Sequence, residues 1–481
     1  MSTLRHKTFS GMIWVGLQRF GTVITSFLAN IVLARLLTPT DFGYIGMLMV
    51  FIAISNSFVD GGFGSALIQK SKPTQEDYST VFYWNIFLSG VLYIILYFCA
   101  PLISEFYKMV ILTKILRIEG IILIINALTI VQFNKLRKAM QFKEIAYINL
   151  TSAIISVFVA IVYAYNGGGV WALVLQQIVL GLVNVVMLFI LVPWKPSLIF
   201  SIKSFKQLFK FGSFILLSSI INTIANNISS LIVGRFFSAG TLGYLSQAQK
   251  LENVSSNSIS STVEQVSYPL LVEVKEDFAR MVNVLRSFNR MLLAIVMPIM
   301  LVIILAANPI IYFLFGEKWL PSAEFLQILC VAGIFICLQG SNYNVIAAIG
   351  KSNVLFKWTL IKRGVGIGLI FLGFYVYGMQ GILWGMVASS AFIWISNSWL
   401  VSIHIGYKLT SQIIDLMPIV FVGLLGFSTA YILNFFKVLG QCDLIYATVF
   451  TVVYIIPFLL FKHSVFLEIR NNIKSLIAHN K

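Results

Sequence analysis

Arg19, Thr22, Ser26 and Asn30 recur at helical spacing inside an apolar run and so share one helix face. Asn56 and Asp60 stand one turn apart in the next run. Ser219, Asn222, Asn226 and Ser229 occupy one side of a later run. Gln247, Lys250, Asn257, Ser261 and Glu264 follow as a drifting stripe interrupted only by Val254. A charge at mid-bilayer costs about 2.5–3.5 kcal/mol on insertion scales, so Arg19, Asp60, Lys250 and Glu264 need water or a partner. The chemistry on offer is recognition: Arg19 and Lys250 as charge-assisted donors, the amide and hydroxyl rows as neutral hydrogen-bonding surface. Asp60 and Glu264 either carry a proton or sodium ion or balance the cations. Glu252 lies about 200° around the helix from Lys250 and is left to packing or a neighbouring helix. The bland reading of these stripes is interhelical bonding at ~0.6–2 kcal/mol each.

Catalysis finds no home. His6, His404, His463 and His479 lie apart, and Cys99, Cys330, Cys337 and Cys442 form no CxxC pair, so no metal site or disulfide frame is expected. Lys351 and Ser352 follow Gly350, but Val345 stands where a phosphate loop needs its first glycine. Gly364, Gly366 and Gly368 lie in an apolar run and suit helix packing, not a dinucleotide loop. Asp41, Glu105, Glu317 and Asp443 are isolated in short loops, whereas a membrane glycan polymerase or glycosyltransferase needs a sizeable loop for its chemistry. The expectation is a protein without enzymatic activity, metal or cofactor.

The elements that position the stripes follow from composition. The 481 residues are 59% hydrophobic and only 11% charged, with a mean hydropathy of +0.91. One water-soluble core cannot hide that much apolar surface, so the solvent is lipid. Fourteen apolar segments are read: 9–33, 42–67, 81–103, 116–133, 145–164, 170–192, 208–236, 242–271, 291–315, 325–349, 355–377, 382–401, 416–435 and 444–460. Segment 242–271 is the most polar. An isolated segment in lipid satisfies its backbone only as a helix, so the fold class is all-α and polytopic. The basic start runs directly into the first segment, which is too long for a signal-peptide core and reads as an uncleaved span.

The formal net charge of +17 fits nucleic acid at first sight, but its placement fits a membrane. With both termini cytoplasmic, inner loops receive Lys70 and Lys72; Lys135, Arg137, Lys138 and Lys143; Lys195, Lys203, Lys206 and Lys210; and Lys275, Arg280, Arg286 and Arg290. They also receive Lys351, Lys357, Lys362 and Arg363, then Lys408 and the basic tail, so that most of the 34 basic residues lie inside. No nucleic acid is needed.

An internal repeat orders the segments. Residues 31–44 align without gaps on 231–244, matching Arg35, Gly43 and Tyr44 to Arg235, Gly243 and Tyr244. A second echo sets Pro101 and Lys108 beside Pro309 and Lys318. Six spans separate the copies, an even number, so both keep one orientation about an axis along the membrane normal. The expected organisation is a six-helix lobe over 1–203, a second over 204–410, and an added helical pair with a cytoplasmic tail over 411–481. The polar spans are the first two of each lobe, and turned inward they would enclose a hydrated cavity.

Stretches 60–69 and 74–82, with Arg235, Gly243, Tyr244, Tyr268, Pro269, Gly316, Lys318 and Trp319, resemble the Wzx-type polysaccharide and lipid-linked oligosaccharide exporters. These belong to the multidrug/oligosaccharidyl-lipid/polysaccharide exporter superfamily, and the resemblance runs from about Gly11 to Gly350. It implies a bacterial inner-membrane flippase that alternates access and carries an undecaprenyl-diphosphate-linked repeat unit for O-antigen, capsule or exopolysaccharide. Arg19 and Lys250 would then take the diphosphate, and Asn30, Asn222, Asn226, Gln247 and Asn257 the sugar hydroxyls. Membrane lipids and a polysaccharide polymerase are the implied partners, and a monomer suffices. Ser229 stands where the family often has Asp, and Leu245, Gln247 and Gln249 replace Tyr or Arg types, which puts an ion or headgroup contact there in doubt. A drug or small-cation exporter of the same architecture is the alternative, because the mixed charges do not choose between cargoes.

Overall fold

A computed structural model describes residues 2–435 and 443–460, leaving aside the side chains of 2–13, 15, 211, 214, 257, 266, 352, 435, 443–444 and 455–460. Cys442, His463, His479 and the basic tail lie outside the described residues, as do the side chains of His6 and Asn257. The helices are α1 (Ser2–Leu36), α2 (Pro39–Asp60), α3 (Phe63–Gln69), α4 (Gln75–Tyr107), α5 (Ile111–Glu119), α6 (Ile122–Lys138), α7 (Phe142–Tyr165) and α8 (Val170–Leu191). They continue as α9 (Ile202–Phe236), α10 (Ala239–Glu273), α11 (Phe278–Leu305), α12 (Ala307–Phe315), α13 (Ser322–Ala348), α14 (Ser352–Ile405), α15 (Leu409–Phe435) and α16 (Asp443–Leu460). No strand occurs among the described residues, and the protein is an all-α, multi-pass membrane protein.

Eleven helical stretches among the described residues are long and apolar enough to cross a membrane. One of them is two helices, because α14 breaks at Tyr377 and at Gly378, whose φ of 57° suits a residue without a Cβ. Helix α10 is long enough but too polar to count, and α16 contributes only the shorter apolar stretch Ile445–Tyr454. The pattern is consistent with fourteen crossings.

Local chemistry sets the helix ends. Thr38 and Asp41 form a capping box before α2, with Pro39 in its first turn. The repeat copy follows suit: the Thr241 N–H donates to Ser238 Oγ at 3.1 Å before α10. Glycines 61 and 62, both left-handed, divide α2 from α3.

The chain forms two compact units, Met1–Gly243 and Tyr244–Lys481. In the first, α1 packs on α7, α7 on α8, and α2 on α9. One end of this unit holds a core of Phe63, Leu67, Val81, Phe82, Val131, Leu136, Ile148 and Leu188. In the second unit, α13 packs on α11 and α14, and α15 and α16 add to α11.

Candidate functional site: the polar faces of α1, α9 and α10

Helix α1 has two exposed faces of opposite character. Gly21 turns toward α7, where a Cβ would stand 2.7 Å from Leu150 Cδ2. Leu17, Phe20, Ile24 and Leu28 are 53–57% exposed, and they centre about 150° around the helix from Arg19. Arg19 and Ser26 are also exposed, with Asn30 half-buried beside them. An apolar face suits acyl chains, whereas the opposite face carries a guanidinium, which calls for water or a polar partner. The Thr22 hydroxyl donates to Gln18 O at 2.8 Å, which leaves it only acceptor capacity for a ligand.

Helix α9 repeats the arrangement. Asn226 is exposed, and exposed Leu217 lies nine residues earlier, about 180° away. Asn222 is half-buried and donates to Ser218 O at 2.9 Å, while Ser229 is buried. Ser57 of α2 and Thr223 of α9 bond at 3.2 Å.

In the second unit the α10 stripe is split. Lys250, Asn253 and Gln265 are exposed on one side. Gln247 is fully buried, so its amide serves the interior. Glu264 is half-buried against Gly340 of α13. Helix α10 thus offers an ammonium and amides on one side and packs the other.

Asp60 ends α2, and its carboxylate accepts the backbone N–H groups of Gly62 and Gly64, with Arg137 nearby. It therefore holds the α2–α3 break. A Cβ on Gly62 would overlap the Gly212 carbonyl, and one on Gly212 would come 2.7 Å from Gly61 O, so the break docks directly on α9. Lys138 closes the far end of α3, donating to the carbonyls of Leu67, Ile68 and Lys70.

The stretch 74–82 fastens the linker between α8 and α9. Asp77 is buried, takes the Lys70 ammonium at 2.8 Å and completes a capping box with Thr74. Gln75 receives the Trp194 indole N–H at 2.6 Å and donates to Lys195 O and Ser197 Oγ, both at 2.8 Å. Ser79 and Thr80 accept the backbone N–H groups of Ser197 and Ser201, each at 3.0 Å.

Two features escaped the sequence reading. Lys362, grouped there with loop cations, is instead buried within α14, about 15 Å past its start. It donates to Asn397 Oδ1 at 2.5 Å and lies 6.0 Å from the Tyr343 ring. Asn85, Gln132 and Ser152 are fully buried, and both polar atoms of each amide and the serine hydroxyl lack hydrogen-bond partners among the described residues. Each sits one turn from a member of the first unit's core, namely Val81, Leu136 and Ile148. Glu252, which its angle leaves to packing or a neighbouring helix, is buried on the packed side of α10.

Among known proteins, the profile described as polysaccharide biosynthesis protein matches residues 32–324. The chain is 24% identical over 422 residues to the teichuronic acid biosynthesis protein TuaB of Bacillus subtilis, covering 87% of each. It is 24% identical over 399 residues to the lipopolysaccharide biosynthesis protein WzxC of Escherichia coli, covering 80% of this chain and 79% of that one. Its fold is that of the lipid II flippase MurJ in an inward closed conformation, with a TM-score of 0.74 at 16% identity over 94% of this chain and 99% of that one. The profile spans more than half the chain, and the chain belongs to the polysaccharide biosynthesis protein family.

Proposed function

We propose that the protein is a flippase carrying an undecaprenyl-diphosphate-linked oligosaccharide across the bacterial inner membrane by alternating access, for O-antigen, capsule or exopolysaccharide assembly. It is a carrier and makes or breaks no covalent bond. The two-faced character of α1 carries this reading: Arg19 and Ser26 are exposed opposite a lipid-type face, as a hydrated path for a polar headgroup requires. The diphosphate suits Arg19 and Lys250, and the exposed amides suit sugar hydroxyls, while the polyprenyl tail stays in lipid. The six-helix lobes, 1–203 and 204–410, belong to this reading, as do cytoplasmic termini, which follow from the distribution of Lys and Arg. The names of TuaB (teichuronic acid biosynthesis), WzxC (lipopolysaccharide biosynthesis) and MurJ (lipid II flippase) support the cargo.

The test is reconstitution of the full chain in vesicles with a fluorescent undecaprenyl-diphosphate-linked oligosaccharide. Protein-dependent movement between leaflets is expected. Movement of a cationic dye with no movement of the oligosaccharide overturns the proposal in favour of drug export.

A further inference from the structure

Glu252 is 5% exposed and turned onto α13, where a Cβ on Gly333 would stand 2.8 Å from its Oε1 and 3.1 Å from Met300 Sδ of α11. Ser256, one turn along α10, donates to Oε1 at 2.5 Å. The titratable groups facing it from α13 are the thiols of Cys330 and Cys337, and α11 brings the thioether of Met300. On its own helix the neighbouring acid is Glu264, and among the described residues no ammonium or guanidinium pairs with Glu252.

A second carboxyl repeats the arrangement. A Cβ on Gly340 would overlap the Glu264 carboxylate, so two glycines seven residues apart on α13 admit two acids of α10. Glycine weakens a helix interior, and any side chain at Gly333 would crowd the carboxyl out of its seat. An ionised carboxylate among thiols, a thioether and glycine, with one serine as partner, is uncompensated, whereas the neutral acid is tolerated there.

We propose that Glu252 is the proton-binding group that couples this carrier to a proton gradient, a role that rests on the transport reading above. Seated at Gly333 it holds a proton on its carboxyl. When α10 leaves α13 and water enters, the proton passes to water on one side of the membrane, and the carboxylate takes another from the opposite side before it reseats. Lys250 and Asn253 ride on the exposed face of the same helix, so one movement changes both the proton seat and the groups offered to substrate.

The test uses the reconstituted full chain and the same undecaprenyl-diphosphate-linked probe, with and without an imposed pH gradient. The ratio of the two rates exceeds one for the native chain and falls to one in Glu252→Gln and Gly333→Ala. A native ratio of one, or a Glu252→Gln ratio equal to the native one, overturns the proposal. A second measurement needs no transport: infrared spectra of the purified chain at neutral pH show a protonated carboxylic C=O stretch that Glu252→Gln removes. Absence of that band overturns the proton seat and leaves the flippase reading intact. Presence of the band in a chain that moves no oligosaccharide overturns the flippase reading, and with it the coupling.

Discussion

Gly43 and Gly243, equivalent positions of the internal repeat, each lie against the backbone that starts the other copy's helix. A Cβ on Gly43 would overlap the Ala239 carbonyl oxygen, and one on Gly243 would overlap that of Pro39. The first turns of α2 and α10 are thereby pressed together in a reciprocal contact. Backbone cannot rotate out of the way as a side chain can. Gly43→Ala and Gly243→Ala should each lower stability by about 1–3 kcal/mol, seen as a lower unfolding temperature in detergent. Because one separation of the helix starts relieves both clashes, the double variant should lose less than the sum. Full additivity would show that the two contacts are independent.

Arg19→Ala and Lys250→Ala should slow oligosaccharide flipping by about 10–100-fold each, the loss of a charge-assisted hydrogen bond worth roughly 1.5–3 kcal/mol. Both side chains are exposed, so membrane insertion and unfolding temperature should hold near native values. Native flipping rates in both variants would remove these residues from the substrate path.

The helical class and the repeat were legible because lipid leaves the backbone one solution and because turn residues such as Gly43 and Gly243 answer to a single steric demand. The stripes on α1 and α9 were legible for the same reason: several polar residues at 3.6-residue spacing specify a face. Single residues carried no such signal. Lys362 read as a loop cation because one charge near an uncertain span boundary does not fix its depth. Asn85, Gln132 and Ser152 stand among other polar residues of their runs with nothing to single them out, and only the packing of three helices shows that each is one turn from a shared core. The stretch 60–69 read as a family signature, while its physical content, a glycine break docked on Gly212, depends on a residue some 150 positions away. The angle of Glu252 points to packing or a neighbouring helix, and it does meet α13, but periodicity cannot show that its neighbours are thiols and a glycine.

Gln75 makes three hydrogen bonds to the segment between α8 and α9, and their loss leaves the buried Trp194 indole without its acceptor. Gln75→Ala should cost about 1–3 kcal/mol. Chymotrypsin cleavage after Trp194 should also become faster, because its indole N–H would no longer be tied to α4. Unchanged cleavage after Trp194 would mean that Ser79 and Thr80 alone hold the linker.

Tyr407, in the short connection between α14 and α15, gives a pH test. Its hydroxyl donates to Asp415 Oδ2 at 2.5 Å, and the same carboxylate takes Arg286 at 2.7 Å and Arg290 at 2.8 Å. Burial first, and then the bond to Asp415, hold the phenol above its ordinary range. The unfolded chain therefore gives up this proton first, near pH ~10, while the folded chain still keeps it. The stability contributed by the phenol is complete below that pH and is lost as pH rises toward the folded value. Tyr407→Phe should be less stable than the native chain by about 1 kcal/mol at neutral pH. That gap should stay constant up to about pH 10 and shrink above it, as read from paired thermal unfolding curves in which every other titrating group is shared. A gap that widens with alkalinity would place the phenol's proton on the wrong side of this account.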